Sequence, residues 1–315
     1  MPSSQSENFL KKGMVCYMRY ICAFLSFLAS FFTGVLFSDL HNLQVKEYKI
    51  RHNRIKKPVR FVYLSDLHGK QFGPGNAKLL NKIDEAKPDF VVVGGDLITT
   101  KFVFNYKVME QLIKDLSQKY KVFYAMGNHE AYLGWDRNKT SMSYESLCKV
   151  ITEAGAEILD NQSSVMDYYG IKFTGLNLGQ AFYDKKHMFM LSKNHIEELV
   201  DTKDAGQYNI LLAHNPEYFD EYSQLPYNLV LSGHMHGGVM RLPEGKGAID
   251  PRFRLIRQLC WGSFIKNGTR IIVSRGLAMH TIPIRIFNPS ELTVVTLKGP
   301  SKRPDQIIKR IMKKR

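Results

Sequence analysis

Short unbroken apolar runs alternate with longer amphipathic stretches along most of this chain. Residues 59–64, 90–93 and 121–126 are too short for helices and rich in β-branched and aromatic side chains, so they predict strands. Between them, residues 76–86 and 107–117 carry apolar positions at helical spacing. The resulting β-α-β-α-β order predicts a largely parallel sheet with crossover helices. Residues 143–154 and 194–199 read as further helices, and 157–159, 164–168, 171–174, 209–213 and 227–231 as strands. The last third predicts β-structure at 270–274, 284–287 and 292–297. No internal repeat occurs, and no linker is long enough to demand a second domain.

One stretch breaks this rhythm. Residues 20–37 are 18 consecutive uncharged positions rich in Phe, Leu and Ala, at the lower limit for a helix that crosses a bilayer. No clean small-x-small cleavage site follows, which favours a retained transmembrane anchor over a signal peptide. Three Lys or Arg precede the run and six follow within about 20 residues, so the positive-inside rule predicts a single-pass inner-membrane protein with its body in the cytoplasm. The expected organisation is a basic N-terminal tail at 1–19, an anchor at 20–37, a basic juxtamembrane segment at 38–58, a catalytic domain at 59–300 and a basic tail at 301–315.

The formal charge of +15 is confined to the flanks: residues 38–60 carry +5, residues 302–315 carry +6, and the body from 61 to 301 only +2. A near-neutral body argues against a nucleic-acid partner. In the tail, Ile307, Ile308, Ile311 and Met312 recur at helical spacing among Lys and Arg, the pattern of a helix lying on an anionic membrane surface. Cys16, Cys22, Cys148 and Cys260 form no C-x-x-C pair and imply neither a zinc knuckle nor a disulfide framework.

The candidate chemistry sits in the loops that follow the predicted strands. Asp66 and His68 follow 59–64, Asp96 follows 90–93, Asn128 and His129 follow 121–126, His214 follows 209–213, and His234 and His236 follow 227–231 between glycines. A lone His-x-His pair is best read as a hydrogen-bonded turn, but four further strand-end positions carry the same chemistry. Carboxylates, imidazoles and an amide without a thiolate suit two divalent cations such as Mn, Fe, Zn or Co. Asp96 can bridge both, and such a pair lowers the pKa of a shared water and neutralises phosphoryl oxygens during in-line attack. His129, next to the expected ligand Asn128, is placed to protonate a leaving oxygen or to stabilise charge on the phosphoryl group.

The blocks D-L-H at 66–68, G-G-D at 94–96, G-N-H-E at 127–130, the single His214 and G-H-M-H at 233–236 resemble the full motif set of the calcineurin-like metallophosphoesterases. The resemblance implies an α/β fold of two packed mixed β-sheets flanked by helices, with metals at strand C-termini and Mn favoured. It implies one metal on Asp66, His68, Asp96 and His236, and a second on Asp96, Asn128, His214 and His234. Residues 237–243 and 274–285 further resemble a membrane-associated bacterial branch that includes enzymes cleaving UDP-2,3-diacylglucosamine, although Val239 departs from the polar residue expected there. The implied partner is a lipid-linked phosphoester or pyrophosphate at an anionic membrane surface. Phosphoprotein phosphatases share the metal site but carry arginines where this chain has Thr99-Thr100 and Ala131-Tyr132-Leu133, which favours diesters or pyrophosphates over phosphomonoesters. A soluble nucleotide phosphodiesterase, a nuclease and a non-catalytic metal-bound scaffold are the alternatives. Residues 239–269, with little periodicity, are either a surface loop or a substrate-facing cap.

Overall fold

The computed structural model describes residues 4–100, 106–135, 142–184, 189–204, 206–250, 254–279 and 283–300; of residues 4–13 and of Cys16 only the backbone is described. The expected membrane-surface helix at 301–315 lies outside these residues.

Helix α1 (Ser4–His41) leads into β1 (Leu43–Arg51), β2 (Val59–Leu64), β3 (Phe90–Val93), β4 (Lys121–Ala125) and β5 (Ala156–Leu159). Helices α2 (Ala77–Ala86), α3 (Lys107–Ser117), α4 (Asn128–Trp135) and α5 (Tyr144–Glu153) connect these strands. The chain then builds β6 (Ser163–Met166), β7 (Ile171–Leu176), β8 (Tyr208–Ala213) and β9 (Leu229–Ser232), with α6 (Lys193–Leu199) and α7 (Phe219–Tyr222) between them. A hairpin of β10 (Gly247–Ile249) and β11 (Leu255–Arg257) precedes β12 (Gly262–Lys266), β13 (Thr269–Val273) and β14 (Ser290–Lys298).

Two six-stranded sheets result, ordered β1-β14-β2-β3-β4-β5 and β12-β13-β9-β8-β7-β6. In the first, β2 to β5 are parallel and β14 returns antiparallel to β2. In the second, β7, β8, β9 and β13 are parallel, with antiparallel β6 and β12 at the edges. Each central strand is buried on both faces, which is why these segments read as unbroken apolar runs. Phe61, Tyr63, Phe90 and Phe123 meet Phe173, Ile210, Leu212 and Leu231 between the sheets. Val62, Leu64, Val91 and Val93 face Leu79, Ile83, Leu112 and Leu147 of the helices outside the first sheet. Leu211, Val230 and Ile271 face Ile196, Phe219 and Tyr222 outside the second. The layers are helix, sheet, sheet, helix.

The first sheet is mixed, as the resemblance implies, because β14 closes antiparallel onto β2. The structure departs from expectation in three places. The segment 38–58, expected as a basic juxtamembrane stretch, contains β1, paired with β14 over nine residues. Its side chains are mostly exposed and include Lys46, Glu47, Lys49 and Arg51, so it lacks an apolar run; charges of this kind protect an edge strand from further pairing. Residues 284–287 form no strand but a single bridge between Met240 and Ile286. Pro283 and Pro289 flank them and Phe287 turns left-handed at φ 53°, which ends any ladder. Finally, 239–269 is not an irregular loop: it folds through β10, β11 and β12, with Val239 donating to Ile249 O at 2.8 Å and Gly237 to Cys260 O at 3.1 Å.

Candidate metal centre

All seven expected ligands stand at one end of the sandwich, beyond the C-terminal ends of parallel strands. The first sheet supplies Asp66 and His68 after β2, Asp96 after β3 and Asn128 after β4; the second supplies His214 after β8, and His234 and His236 after β9. Five of the seven, Asp66, His68, Asp96, His234 and His236, adopt left-handed backbone with φ between 47° and 66°. Non-glycine residues held there cost of order 1 kcal/mol or more each and persist where the surroundings over-determine them, typically at functional sites.

The loops are laced together through the backbone. Asp66 N–H donates to Gly95 O and His68 N–H to Asp96 O, both at 3.0 Å, and Gly233 N–H donates to His214 O at 3.1 Å. Glu130, fully buried, joins the Asp96 and Asn128 loops: its carboxylate accepts from the N–H groups of Asp96 (2.8 Å), Leu97 (2.9 Å) and Gly127 (3.1 Å) and from the Tyr124 hydroxyl (2.8 Å). Burial, followed by the nearby Asp96 charge, pushes Glu130 up to about 7. A third loop, 274–278, closes over Asp66, with Leu277 donating to Ser65 O and Ala278 to Asp66 O.

The histidines are aimed by their second nitrogen. Nδ1 of His68 lies 3.1 Å from Ile98 O, that of His214 2.7 Å from Gly94 O, and that of His236 2.7 Å from Ala278 O. A carbonyl partner makes each Nδ1 a protonated nitrogen, so in the neutral ring each Nε2 presents a lone pair to the cluster, the arrangement that orients imidazoles towards a metal. His214 Nε2 stands 3.2 Å from Asp96 Oδ2 and 3.6 Å from Asp66 Oδ1, and His236 Nε2 is 3.6 Å from Asp66 Oδ1. His68 Nε2 is 4.0 Å from Asp66 Oδ1 and 3.9 Å from Asp96 Oδ2. Asn128 Oδ1 faces His234 Nδ1 at 2.9 Å. The groupings compatible with an ion are Asp66–His68–His236, Asp96–His214–His234 and His68–Asp96–His129.

Electrostatics favour positive charge here. Burial opposes a proton on His214, but the Asp96 and Asp66 carboxylates outweigh it and raise that imidazole to about 10. Burial likewise opposes charge on Asp96, yet His214 and then His129 hold its carboxyl well below the usual range. Asp66 is pushed up to about 6 by burial, with His214 opposing. His236 is held down to about 3 by burial and the Arg285 guanidinium, which keeps its Nε2 deprotonated. Asp66 Oδ2 and His214 Nε2 are buried atoms with no hydrogen bond among the described residues. Such a field and such a donor set fit two divalent cations.

His129 takes a different orientation from His68, His214 and His236. Its backbone N–H donates to Asp96 Oδ1 at 2.8 Å, while its Nδ1 accepts from Thr100 N–H at 3.0 Å, so in the neutral ring Nε2 carries the proton. On the far side, Tyr183 packs 5.5 Å from the His234 ring and 5.9 Å from Trp135. Three contributors were not legible in the motifs: Glu130, quoted in its block without a role; the Ala278 carbonyl; and fully buried Arg285, which donates to Arg275 O and Ala278 O and so braces the 274–278 loop.

The calcineurin-like phosphoesterase family model matches residues 59–238, more than half of the chain. The chain belongs to this family. Metal-dependent phosphoester hydrolysis, the class implied by the motifs, is the class of these phosphoesterases. An uncharacterised metallophosphoesterase, Cj0846 of Campylobacter jejuni, is 29% identical over 81% of this chain and 63% of its own length. Phosphodiesterase YaeI of Escherichia coli is 26% identical over 59% of this chain and 63% of its own. A transmembrane protein with a metallophosphoesterase domain from Danio rerio is 28% identical over 76% of this phosphoesterase and 53% of its own length. This chain thus spans about two thirds or less of each of these three relatives.

Proposed function

We propose that this phosphoesterase hydrolyses a phosphodiester or pyrophosphate bond with two divalent metal ions, Mn being the favoured pair, on a membrane-associated nucleotide- or phospho-linked lipid of the UDP-2,3-diacylglucosamine type. The observation that carries the proposal is the convergence of seven oxygen and nitrogen donors from both sheets on one end of the sandwich, with three imidazoles locked by backbone carbonyls. Asp66, His68, Asp96 and His236 would hold one ion, and Asp96, Asn128, His214 and His234 the other. When bound, the pair would supply a hydroxide nucleophile near neutral pH and neutralise phosphoryl charge.

The chain's own residues do the rest. His129, its Nδ1 fixed by Thr100, offers the Nε2 proton to a phosphoryl or leaving oxygen. Thr99 and Thr100 stand where phosphatases place an arginine, and Thr100 is committed to His129, so a phosphomonoester dianion lacks its usual clamp. Tyr183 and Trp135 provide an apolar wall beside His234 for the organic part of the substrate. The lipid part of the proposal is supported by α1, whose stretch Tyr17–His41 is long and apolar enough to cross a membrane, and by the transmembrane relative. On the charge balance of its flanks the anchor sits in the inner membrane with the body in the cytoplasm.

Asp96→Ala tests the centre. The variant should lose both metals by elemental analysis and all turnover of bis-p-nitrophenyl phosphate. Wild-type diesterase activity in that variant overturns the mechanism.

A further inference from the structure

The end of α1 is wired to the two loops that carry Asp66, His68, His234 and His236. Asp39, 9% exposed, accepts a 2.7 Å hydrogen bond from the backbone N–H of Asn288 through Oδ2. Asn288 is fully buried, and its side-chain amide donates to His236 O and Gly238 O, both at 2.7 Å. Gly237, between those two acceptors, lies so close that a Cβ there would fall 2.3 Å from Asn288 Oδ1. The His-x-His loop therefore has no slack against Asn288. On the other flank Lys70, two residues beyond His68, donates to Leu40 O at 2.6 Å, and Lys78 donates to His41 O at 3.1 Å. These lysines satisfy carbonyls that a helix C-terminus leaves without amide partners and place positive charge at the negative end of its dipole.

A tether needs none of this. A membrane anchor joined to a catalytic body by a flexible linker would leave its last carbonyls to water and its acidic residue exposed. Here the last turn of α1 is built between the loop of His68 and the loop of His236.

We propose that Asp39 is a positioning residue for the metal centre: it fixes Asn288, and Asn288 fixes the backbone of His236, so the exit of the anchor helix is part of the site's framework. The proposal rests on the two-metal reading of the centre. Its consequence is spatial. The apolar run of α1 ends at Phe37, and a single side chain separates Asp39 from the His236 loop. If α1 spans a bilayer, the reacting phosphorus is held within the headgroup layer, which is some 5–8 Å deep on each side of the hydrocarbon core.

The test uses the full chain in detergent or in nanodiscs, with Mn as the probe. Asp39→Ala should need about 10- to 100-fold more Mn for half-saturation, the range observed when groups that orient ligands are removed. At saturating Mn, kcat should largely recover while KM stays near wild type. Asp39→Asn, which keeps an oxygen acceptor for the Asn288 N–H, should restore most of the affinity. Arg54→Ala, which breaks the bidentate pair with Asp204 away from the site, should leave Mn affinity as it was. An Asp39→Ala variant with a lowered melting temperature but wild-type Mn affinity reduces Asp39 to a structural latch and overturns the proposal. Should Asp39→Ala fail to fold, Asp39→Glu decides the question, since it keeps the charge and shifts the acceptor by one methylene: Mn affinity within twofold of wild type again overturns it. A wild-type chain that binds no Mn would instead sink the metal centre itself.

Discussion

His129 and Asn128 are neighbours in sequence, and hydrogen bonding turns their side chains to different partners. Asn128 presents its amide oxygen to the His234 ring, whereas His129 turns its Nδ1 to the Thr100 N–H. A neutral ring whose Nδ1 accepts from a backbone amide carries its proton on Nε2, which under the proposed function makes His129 a hydrogen donor to substrate rather than a ligand. His129→Ala should therefore retain two metals by elemental analysis and lose on the order of 10²- to 10⁴-fold in kcat. Loss of metal in that variant would move His129 into the ligand shell. The seven donors were legible because each is a side chain of a chemically rare type placed after an apolar run. What holds them was not: the carbonyls of Ile98, Gly94 and Ala278 are backbone atoms that no residue type announces. Glu130 was visible in its motif, but its partners are the amides of four residues, three of them in another loop. Without that carboxylate, buried N–H groups would lose partners at roughly 1–3 kcal/mol each, a large share of an ordinary folding stability.

At the scale of elements, strands buried on both faces announced themselves and edges did not. The expected helix at 107–117 matches α3, and the runs at 59–64 and 90–93 match β2 and β3, since each packs apolar side chains on the core. Strand β1 was missed because an edge strand with mostly exposed side chains has no apolar run to read. The loop after β13 was missed as part of the site for another reason: its work is done by main chain and by Gly276. That glycine sits at φ 67°, where a Cβ would fall 2.6 Å from Asp66 Cβ and 2.9 Å from its Oδ2. Gly276→Ala must therefore adopt a strained backbone and displace Asp66 at once. We expect the protein to remain folded with a melting temperature lowered by several degrees, and kcat/KM to fall on the order of 10²-fold, as for an angstrom-scale misplacement. Full activity with an intact metal complement would show that the loop does not bear on Asp66.

For the molecule as a whole, the proposed function requires that the chain meet a membrane. Stretch Tyr17–His41 would extend roughly 37 Å as a helix, more than the ~30 Å hydrocarbon core. Its Tyr17, Phe24, Phe27 and Phe37 rings are all more than 60% exposed, so water is a poor surrounding for them. The two basic flanks do not contribute alike. Several cations of the flank at 38–60 are already engaged: Arg54 pairs with Asp204 and Lys57 stands 3.6 Å over the Tyr168 ring, both in the body, while Arg60 pairs with Glu47 of the same flank. The tail at 302–315 carries a net +6 in sequence, and each Lys or Arg near an anionic surface contributes about 1 kcal/mol. The tail should therefore dominate any adsorption that survives loss of the anchor. A chain of residues 38–315, which keeps Asp39 and β1, should sediment with anionic liposomes at low salt and release at high salt, while residues 38–300 should stay in the supernatant. On the liposomes the longer chain should hydrolyse a lipid-linked pyrophosphate faster than a soluble nucleotide diester, because adsorption brings the strand-end site to substrate already confined to the surface. Equal sedimentation of the two chains would remove the tail from membrane binding, and a preference for the soluble diester would leave the anchor as an address and the substrate in solution.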